Sequence, residues 1–322
     1  MILGIESTAH TFGIGIVRNG KVIANVKDMY RPTKGGIIPL EAAKHHVNVA
    51  ESILRQALDK AGIKEDEINA IAFSNAPGLS PCLIAGKNFA VSLAKKLNVK
   101  LIEVNHCIAH LEIGRKEGAK DSVLLYASGA NTQVIAYSSG KYRVLGETLD
   151  IGIGNFIDKF ARLCGIPFPG GPRIEELARN GKYIEIPYSV KGMDVSFSGM
   201  QTKLHQLFSK GEKIEDLSFS LQETAFSMLT EVAERALAHI GKRELVLGGG
   251  VACNKRLQEM CKIMCKERNA KFFCPEREFL VDNGAMIAFT GEIMCKAGMS
   301  ISPERADIKP RERTDEVDVT WR

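Results

Sequence analysis

The sequence lacks the features of membrane-spanning, secreted and disulfide-stabilised proteins. It contains no run of about 18 apolar residues, the length that a transmembrane helix needs. Its N-terminus, Met1 to Glu6, has no basic segment and reaches a carboxylate at once, so it does not have the pattern of a signal peptide. The eight cysteines are scattered, and no two form a Cys-x-x-Cys pair. These absences predict reduced thiols, a cytoplasmic location and no membrane partner.

Tryptophan is also scarce, and neither sign of charge dominates. There is a single tryptophan, and 43 basic residues stand against 38 acidic ones, a formal net charge of +5. This mild excess is compatible with a nucleic-acid partner, but the basic residues are too dispersed to mark a binding face. Hydrophobic residues make up 45% of the 322 residues, which is typical of a globular protein of about two domains.

Two histidines four residues apart are the first candidates for a functional site. His106 and His110 follow a strand-like run, and Asn105 before them is a good helix N-cap. Residues four apart on a helix lie about 40° apart around its axis, so both imidazoles can face one divalent ion. A metal needs at least a third ligand, usually a carboxylate from elsewhere. The alternative is a polar pair that is hydrogen-bonded or solvated at the start of a helix.

An internal repeat predicts two related lobes. An Asn19-Gly20 hairpin joins two apolar runs, and Ser139-Gly140 does the same about 120 residues later. At an offset of 120 the two copies match without a gap, with Leu3 on Val123 and Glu6 on Tyr126. In each copy a polar turn joins the first two strands. We expect the two turns to face each other across a cleft and to expose N–H groups that suit phosphate.

Helices and a glycine-rich loop follow these hairpins. Apolar periodicity predicts helices over about residues 42–61, 82–97, 155–164, 173–179 and 216–239. Gly248 to Asn254 connects a strand to a helix, which is either a phosphate-binding geometry or a tight turn. Asp282 opens the last large helix, either as its N-cap or as the third ligand that the histidine pair needs.

Seven stretches, taken together and in order, resemble one known family; they are Gly4–Thr11, His106–His110, Tyr126–Gln133, Pro169–Glu175, Val195–Gly199, Gly248–Asn254 and Asp282–Gly284. They are similar to the universal tRNA threonylcarbamoyladenosine transferase family, in its archaeal and eukaryotic branch. That branch supplies the catalytic subunit of the KEOPS complex and was formerly described as O-sialoglycoprotein endopeptidase-like. The resemblance covers nearly the whole chain.

The resemblance implies an α/β fold of the actin-like, Hsp70-like and sugar-kinase-like ATPase type, with two duplicated RNase-H-like lobes around a cleft. On this basis residues 1–120 form lobe I, onto which residues 299–322 pack back, and residues 121–298 form lobe II. The implied activity is an acyl transfer in tRNA processing. A threonylcarbamoyl group passes from threonylcarbamoyl-AMP to N6 of the adenosine at position 37, 3′ to the anticodon, in tRNAs that read codons starting with A.

The resemblance also implies the site residues. The metal ligands are His106, His110, Asp282 and Tyr126, and the ion is Fe²⁺ or Zn²⁺. The residues implied for the threonylcarbamoyl-adenylate, or for ATP or AMP in the cleft, are Tyr126, Ala127, Ser128, Gly129, Ala130, Asp158, Gly171, Glu175 and Asn254. No residue is assignable as a general base. The Tyr126 turn has Gly129-Ala130 where the family usually has two glycines, and alanine costs about 1 kcal/mol if that position requires a positive φ.

The implied partners are tRNA, a small kinase/ATPase subunit and other KEOPS subunits. No kinase motif occurs in these residues, so we expect the kinase to be a separate chain or to lie outside this one. A metallopeptidase is the first alternative, but Cys107 stands where the zincin motif has its catalytic glutamate. An actin-like ATPase or small-molecule kinase, and a noncatalytic scaffold that only binds nucleotide, are the others.

Overall fold

The structure is a computed structural model that describes residues 1–32 and 36–322. Up to residue 117 the elements are β1 (Ile2–Glu6), β2 (Thr11–Arg18), β3 (Lys21–Met29), α1 (Pro39–Ala61), β4 (Ala70–Ala76), α2 (Ser80–Leu97), β5 (Lys100–Asn105) and α3 (His106–Glu112). Short 3₁₀ turns follow α1 and α3.

The rest of the chain adds seven strands and seven α-helices among the residues that the structure describes. They are β6 (Val123–Ala127), β7 (Thr132–Ser138), β8 (Lys141–Glu147), α4 (Ile153–Leu163), α5 (Gly171–Ala178), β9 (Val190–Lys191), β10 (Asp194–Val195), α6 (Ser198–Ser209), α7 (Ile214–His239), β11 (Glu244–Gly248), α8 (Lys255–Glu267), β12 (Lys271–Phe273), α9 (Arg277–Leu280) and α10 (Gly284–Lys296). None of the described helices is both long and apolar enough to cross a lipid bilayer.

The first compact unit comprises residues 1–116, 139–142 and 282–322. Its sheet has the order β3-β2-β1-β4-β5, with β2 antiparallel to both of its neighbours and β4 and β5 parallel to β1. Asn19 (φ 52°) and Gly20 (φ 75°) form the tight turn between β2 and β3, where the sequence predicts a hairpin. The apolar faces of α1 and α2 pack with the sheet in one core.

The second unit comprises residues 117–138 and 143–281. Its sheet has the order β12-β11-β6-β7-β8, with β7 antiparallel to β6, and with β11 parallel to both β6 and β12. A separate core surrounds it, and α4, α7 and α8 supply much of its apolar side-chain surface. The small β9–β10 pair and the short helix α9 have no counterpart in the predictions from sequence.

The two sheets repeat one strand order, which confirms the predicted duplication. The strands β1, β2, β3, β4 and β5 correspond to β6, β7, β8, β11 and β12. The register repeats as well, because Glu6 pairs with Gly13 in the first sheet and Tyr126 pairs with Gln133 in the second, both offset by 120. Glu6 and Tyr126 therefore occupy equivalent positions, each near the carboxyl end of a central strand.

Helix α10 belongs to the first unit, although lobe II is expected from the family resemblance to include residues 121–298. The reason is a close backbone contact. Gly4 on β1 pairs with Gly15 on β2, and a Cβ atom built on Gly15 overlaps the backbone nitrogen of Ala285. The glycines thus form a flat surface onto which the start of α10 packs, and a long-range contact of this kind has no local signal in the sequence.

The C-terminal segment contacts the same unit. Ile301 exchanges backbone hydrogen bonds with Leu101 at the end of the sheet, at 2.8 and 3.0 Å. Further along, the Arg322 guanidinium lies 2.8 Å from the Glu112 carboxylate, which is fully buried and also accepts a 2.6 Å hydrogen bond from the Tyr142 hydroxyl. These contacts satisfy a buried carboxylate at the end of α3.

A buried histidine in α1 predicts an acid-sensitive first unit. Burial lowers the pKa of His46 to about 4, and its Nε2 lies 3.0 Å from the Ala9 carbonyl oxygen. The unfolded state therefore binds a proton between about pH 6.5 and pH 4 that the folded state rejects. We expect up to about 3 kcal/mol of stability to be present above pH 6.5 and to be lost as the pH falls to 4.

A His46→Gln variant tests this expectation, because the amide can still donate to Ala9 but does not titrate. The difference in unfolding free energy between the variant and the wild type, measured by urea denaturation at several pH values, is expected to shrink as the pH falls from 6.5 to 4. A difference that does not change over this range contradicts the assignment.

Candidate metal site and nucleotide-binding residues

Helix α3 begins at the first histidine of the pair because Asn105 caps it. The Asn105 Oδ1 atom accepts hydrogen bonds from the backbone N–H groups of Cys107 (3.1 Å) and Ile108 (3.3 Å), which confirms the N-cap predicted from sequence. Strand β5 ends at Asn105, and β5, β4 and β1 are parallel, so their carboxyl ends meet at one edge of the sheet. The helix therefore starts at the edge where side chains of three strands converge.

Three predicted ligands lie together in the first unit. The Asp282 Oδ1 atom lies 3.5 Å from His106 Nε2 and 3.5 Å from His110 Nε2. One ligand atom from each residue lies within 4.8 Å of the other two, and both histidines are buried. Ligands at about 2.1 Å from a tetrahedral ion are about 3.4 Å apart, so this spacing fits one divalent metal ion.

Asp282 is not the cap of the last large helix. The cap is Asn283, whose Oδ1 accepts a 2.9 Å hydrogen bond from the Met286 N–H, and this leaves the Asp282 carboxylate beside the histidines. The Asp282 backbone carbonyl accepts a 3.1 Å hydrogen bond from Lys27 Nζ on β3. Two residues therefore fix the position of Asp282. They are Asn283, which follows it and caps α10, and Lys27 on β3, which binds its backbone carbonyl. The structure favours the ligand interpretation of Asp282 over the capping one.

Glu6 orients the first histidine, a role that the sequence did not reveal. The Glu6 Oε2 atom lies 2.9 Å from His106 Nδ1, on the opposite side of the ring from Asp282. Its other oxygen accepts hydrogen bonds from the Thr8 backbone N–H, at 2.7 Å, and from the Thr8 hydroxyl. A carboxylate on Nδ1 fixes the ring and directs Nε2 toward a metal, a common second-layer contact of metal-binding histidines. The only sequence signal was a carboxylate that ends a buried strand.

The charged groups of the site shift one another's pKa values. Burial lowers the pKa of His106, but the carboxylates of Glu6 and Asp282 outweigh burial and raise it to about 9. Burial lowers the pKa of His110 below its usual range. Burial tends to raise the pKa of Asp282, yet the two histidines hold it well below its ordinary value. Two carboxylates and two imidazoles in a buried site match the charge of a divalent cation.

Cys107 is a poor catalytic group in this position. Its side chain is buried, and burial raises the pKa of the thiol to about 12. It is therefore neither a base nor a thiolate nucleophile near neutral pH. The residue that follows the first histidine thus lacks the chemistry that a zincin-type peptidase requires there.

A Glu6→Gln variant is expected to weaken metal binding by about 10- to 100-fold, because the amide removes the charge that orients and polarises His106. Titration of the metal-free protein with Zn²⁺, against a competing chelator, measures this. Glu67→Gln, an exposed change in the same unit, is the matched control and is expected to leave the affinity unchanged. Equal affinities for both variants contradict the orienting role.

The residues predicted to wrap the adenylate lie in the second unit, in the turn after β6. Tyr126 and Ala127 are buried, and the carbonyl groups of Ser128 and Gly129 accept hydrogen bonds from the first N–H groups of α4, at 3.0 and 2.9 Å. Ala130 is not among the described residues with a positive φ, so the alanine carries no left-handed backbone cost. Tyr126 stays a predicted metal ligand.

Three residues predicted to hold the nucleoside (Asp158, Gly171 and Glu175) lie on α4 and α5, and Asn254, predicted to lie at the glycine loop beside it, is at the start of α8. Asp158 Oδ1 accepts a 2.8 Å hydrogen bond from the Gly170 N–H, directly before Gly171, where a side chain would meet nothing within 4 Å. Glu175 Oε1 accepts a 2.8 Å hydrogen bond from the Lys255 N–H. Asn254 caps α8, and its Nδ2 donates to Gln222 at 2.8 Å.

The sequence left two interpretations of the glycine-rich loop, a phosphate-binding geometry and a tight turn, and the structure matches the tight turn. The first N–H groups of α8, on residues 255–257, already bind Glu175 and Asn254, so in this structure they are not available to a phosphate. Gly249 (φ 91°) packs against the Ala127 carbonyl, which brings the loop next to the turn after β6. The loop therefore serves as a close-packed turn within the second unit.

The duplicated sheets define the chain as an α/β protein of the actin-like class with a candidate His-His-Asp metal site. A solved structure of HypF from Thermococcus kodakarensis has this fold, with a TM-score of 0.64 at 16% identity over 92% of this chain and 47% of HypF. This likeness shows the fold alone.

Residues 20–289 match the family described as TsaD, tRNA N6-adenosine threonylcarbamoyltransferase. The chain is 56% identical to a Thermococcus kodakarensis protein named tRNA N6-adenosine threonylcarbamoyltransferase. The match extends over 321 residues and covers 99% of each of the two proteins. It is 53% identical to a Thermoplasma volcanium protein named probable bifunctional tRNA threonylcarbamoyladenosine biosynthesis protein, of which it spans 61%. The chain belongs to the TsaD family.

Proposed function

We propose that this protein transfers a threonylcarbamoyl group from threonylcarbamoyl-adenylate to N6 of adenosine 37 in tRNAs that read codons starting with A. The observation that carries the proposal is the convergence of His106, His110 and Asp282 on one point. Membership of the family, and the transferase name of the relative that is 56% identical over the full length, support it.

The reaction is an acyl transfer. The N6 amine attacks the carbamoyl carbon, the bond from that carbon to the phosphate oxygen breaks, AMP leaves with the electron pair, and the amine loses a proton. An exocyclic amine is a poor nucleophile, so positioning and charge stabilisation carry more of the rate than a single base does. We assign no general base.

We propose that the metal is Fe²⁺ or Zn²⁺ and that His106, His110 and Asp282 of the first unit hold it. Imidazole nitrogens with one carboxylate suit these ions better than Mg²⁺, which prefers oxygen ligands. Bound there, a divalent ion supplies Lewis-acid chemistry to an oxygen of the substrate. Glu6 keeps the His106 ring in place, because its carboxylate lies 2.9 Å from Nδ1.

We propose that the second unit binds the adenylate. The turn from Tyr126 to Ala130 wraps it, Asp158, Gly171 and Glu175 hold the nucleoside, and Asn254 lies at the glycine-rich loop beside it. Glu175 uses Oε1 to fix the start of α8, so Oε2 is the oxygen that we assign to a ribose hydroxyl. The open space at Gly171 leaves the nucleoside room to approach the backbone.

The proposed partners are tRNA, a small kinase/ATPase subunit and other subunits of a KEOPS complex, and the proposed location is the cytoplasm, where tRNA is modified. The bifunctional name of the Thermoplasma volcanium relative, whose remaining length lies outside the match, supports a second component for this chain.

The deciding experiment is reconstitution. Purified protein and its partner subunits receive threonine, bicarbonate, ATP, a synthase that forms the adenylate, and tRNA, and nucleosides of the digested tRNA are analysed by mass spectrometry. The His106→Ala/His110→Ala variant is expected to form little modified adenosine and to contain little metal. The matched control replaces two exposed histidines, His205 and His239. Product from the double variant at the wild-type rate, or none from the wild type, contradicts the proposal.

A further inference from the structure

Gly129, in the turn predicted to wrap the adenylate, is exposed and has open space where a side chain would lie. Its φ is outside the left-handed range that favours glycine. A Cβ atom built on it meets one described heavy atom within 4 Å, the Oδ1 of Asn155, at an ordinary contact distance of 3.7 Å. Gly152 differs, because a Cβ there overlaps the carbonyl oxygens of Gly129 and Ala130. The space over Gly129 therefore lets a ligand approach the backbone of the turn.

A phosphate at this turn needs hydrogen-bond donors, and the helix that follows does not supply them from its backbone. The first N–H groups of α4 already bind Thr132 Oγ1 (2.8 Å) and the carbonyl groups of Ser128 (3.0 Å) and Gly129 (2.9 Å). The first N–H groups of α8 are bound to Glu175 and Asn254. A side-chain donor must therefore make the contact.

Asn155 carries a donor at the right place. It lies in the first turn of α4, is exposed, and has no side-chain hydrogen bond to residues 1–32 and 36–322. Its Oδ1 borders the space over Gly129, and a half-turn of the amide brings Nδ2 to the same place. Asp158, which is proposed to hold the nucleoside, follows three residues later on the same helix face. Asn155 thus lies between a nucleoside residue and the turn after β6.

We infer that Asn155 binds the phosphate of the adenylate, with Nδ2 donating to a non-bridging oxygen. In an adenylate the phosphate is the group next to the nucleoside, which matches the place of Asn155 next to Asp158. The inference rests on the proposed function, because it takes the adenylate to be the ligand of the second unit. AMP, which leaves in the transfer, carries the same phosphate with one more negative charge, so its affinity reports this hydrogen bond.

The test is isothermal titration calorimetry of the full chain with AMP and, separately, with adenosine. Asn155→Ala is expected to weaken AMP about 10- to 100-fold and to leave adenosine within about twofold of the wild type, because the lost hydrogen bond reaches the phosphate alone. Asn155→Asp is expected to weaken AMP further, since a carboxylate repels the phosphate. An acidic residue in the first turn favours the helix, so unfolding does not explain that loss. Asn180→Ala, an exposed change in the same unit, is the matched control and is expected to bind both compounds as the wild type does.

The ratio of the two affinities separates a phosphate contact from a structural role. An equal loss of AMP and adenosine in Asn155→Ala refutes the assignment, and so does an unchanged AMP affinity in both Asn155 variants. The reconstitution assay distinguishes this failure from that of the proposed function, because the wild type then still forms modified adenosine. If the wild type forms none but the AMP pattern holds, the phosphate contact stands and the transfer fails. If the wild type binds neither compound, the assignment is overturned together with the adenylate site.

Discussion

An Asp282→Asn variant is expected to keep its fold but to bind a divalent metal more than about 100-fold less tightly, and its transfer activity should fall in parallel. Loss of a second-layer contact alone costs about 10- to 100-fold, so loss of a ligand charge costs more. Asp282 is the one carboxylate within 3.5 Å of both histidine Nε2 atoms, so the described residues offer no substitute for it at that point.

The fold of this variant is expected to survive for a structural reason. Lys27 donates a hydrogen bond to the backbone carbonyl of Asp282, and the cap of α10 belongs to Asn283. An amide of the same shape disturbs neither contact. The affected property is therefore ligand charge, and metal content and activity report on it separately from stability.

The measurement combines metal analysis of the purified protein, Zn²⁺ titration and the tRNA modification assay. Asp59→Asn, an exposed change on α1, is the matched control. If Asp282→Asn retains metal at the wild-type level, Asp282 is not a ligand. If the metal is lost while transfer continues at the wild-type rate, the metal site stands and the proposed catalytic role fails. The two parts of the proposal are thus separable.

Local signals made much of the fold predictable. Asn19-Gly20 and Ser139-Gly140 both adopt the positive φ values of tight hairpin turns, and the first of these turns fixes the register of β2–β3. The helices begin and end within a few residues of the predicted limits, because apolar periodicity and capping residues such as Asn105 act over one or two turns. The duplication followed from repeated local patterns of this kind.

The features that escaped prediction depend on contacts between distant residues. Glu6 lies beside His106 only because β1 and β5 are parallel strands on either side of β4, an order that the sequence does not display. Glu175 accepts a hydrogen bond from the first N–H group of α8 although it lies 80 residues away in the sequence, and no motif of the glycine-rich loop indicates this contact. The sequence left Asp282 with two interpretations, helix cap or third ligand, because spacing alone does not bring a residue about 170 positions away to the histidines.

The close contact between α10 and the sheet predicts that a side chain added at Gly15 strongly lowers the free energy of unfolding. Replacing Gly15 by alanine is expected to destabilise the protein by at least about 3 kcal/mol. The added Cβ overlaps the backbone nitrogen and Cα of Ala285, and backbone atoms of a helix cannot move aside as a flexible side chain does. The helix must then shift as a unit, and Asp282 just before it shifts too, so metal affinity should fall together with stability.

Gly199→Ala is the matched control for this change. Gly199 lies near the start of α6, and a Cβ there meets nothing within 4 Å, so the variant is expected to be as stable as the wild type or up to about 1 kcal/mol more stable. Urea unfolding of both variants, with Zn²⁺ titration of the folded fraction, measures the effects. If Gly15→Ala unfolds at the wild-type urea concentration, α10 does not pack on the glycines of β1 and β2. The position of Asp282 beside the histidines then loses its structural support, because that helix is what holds the carboxylate in the first unit.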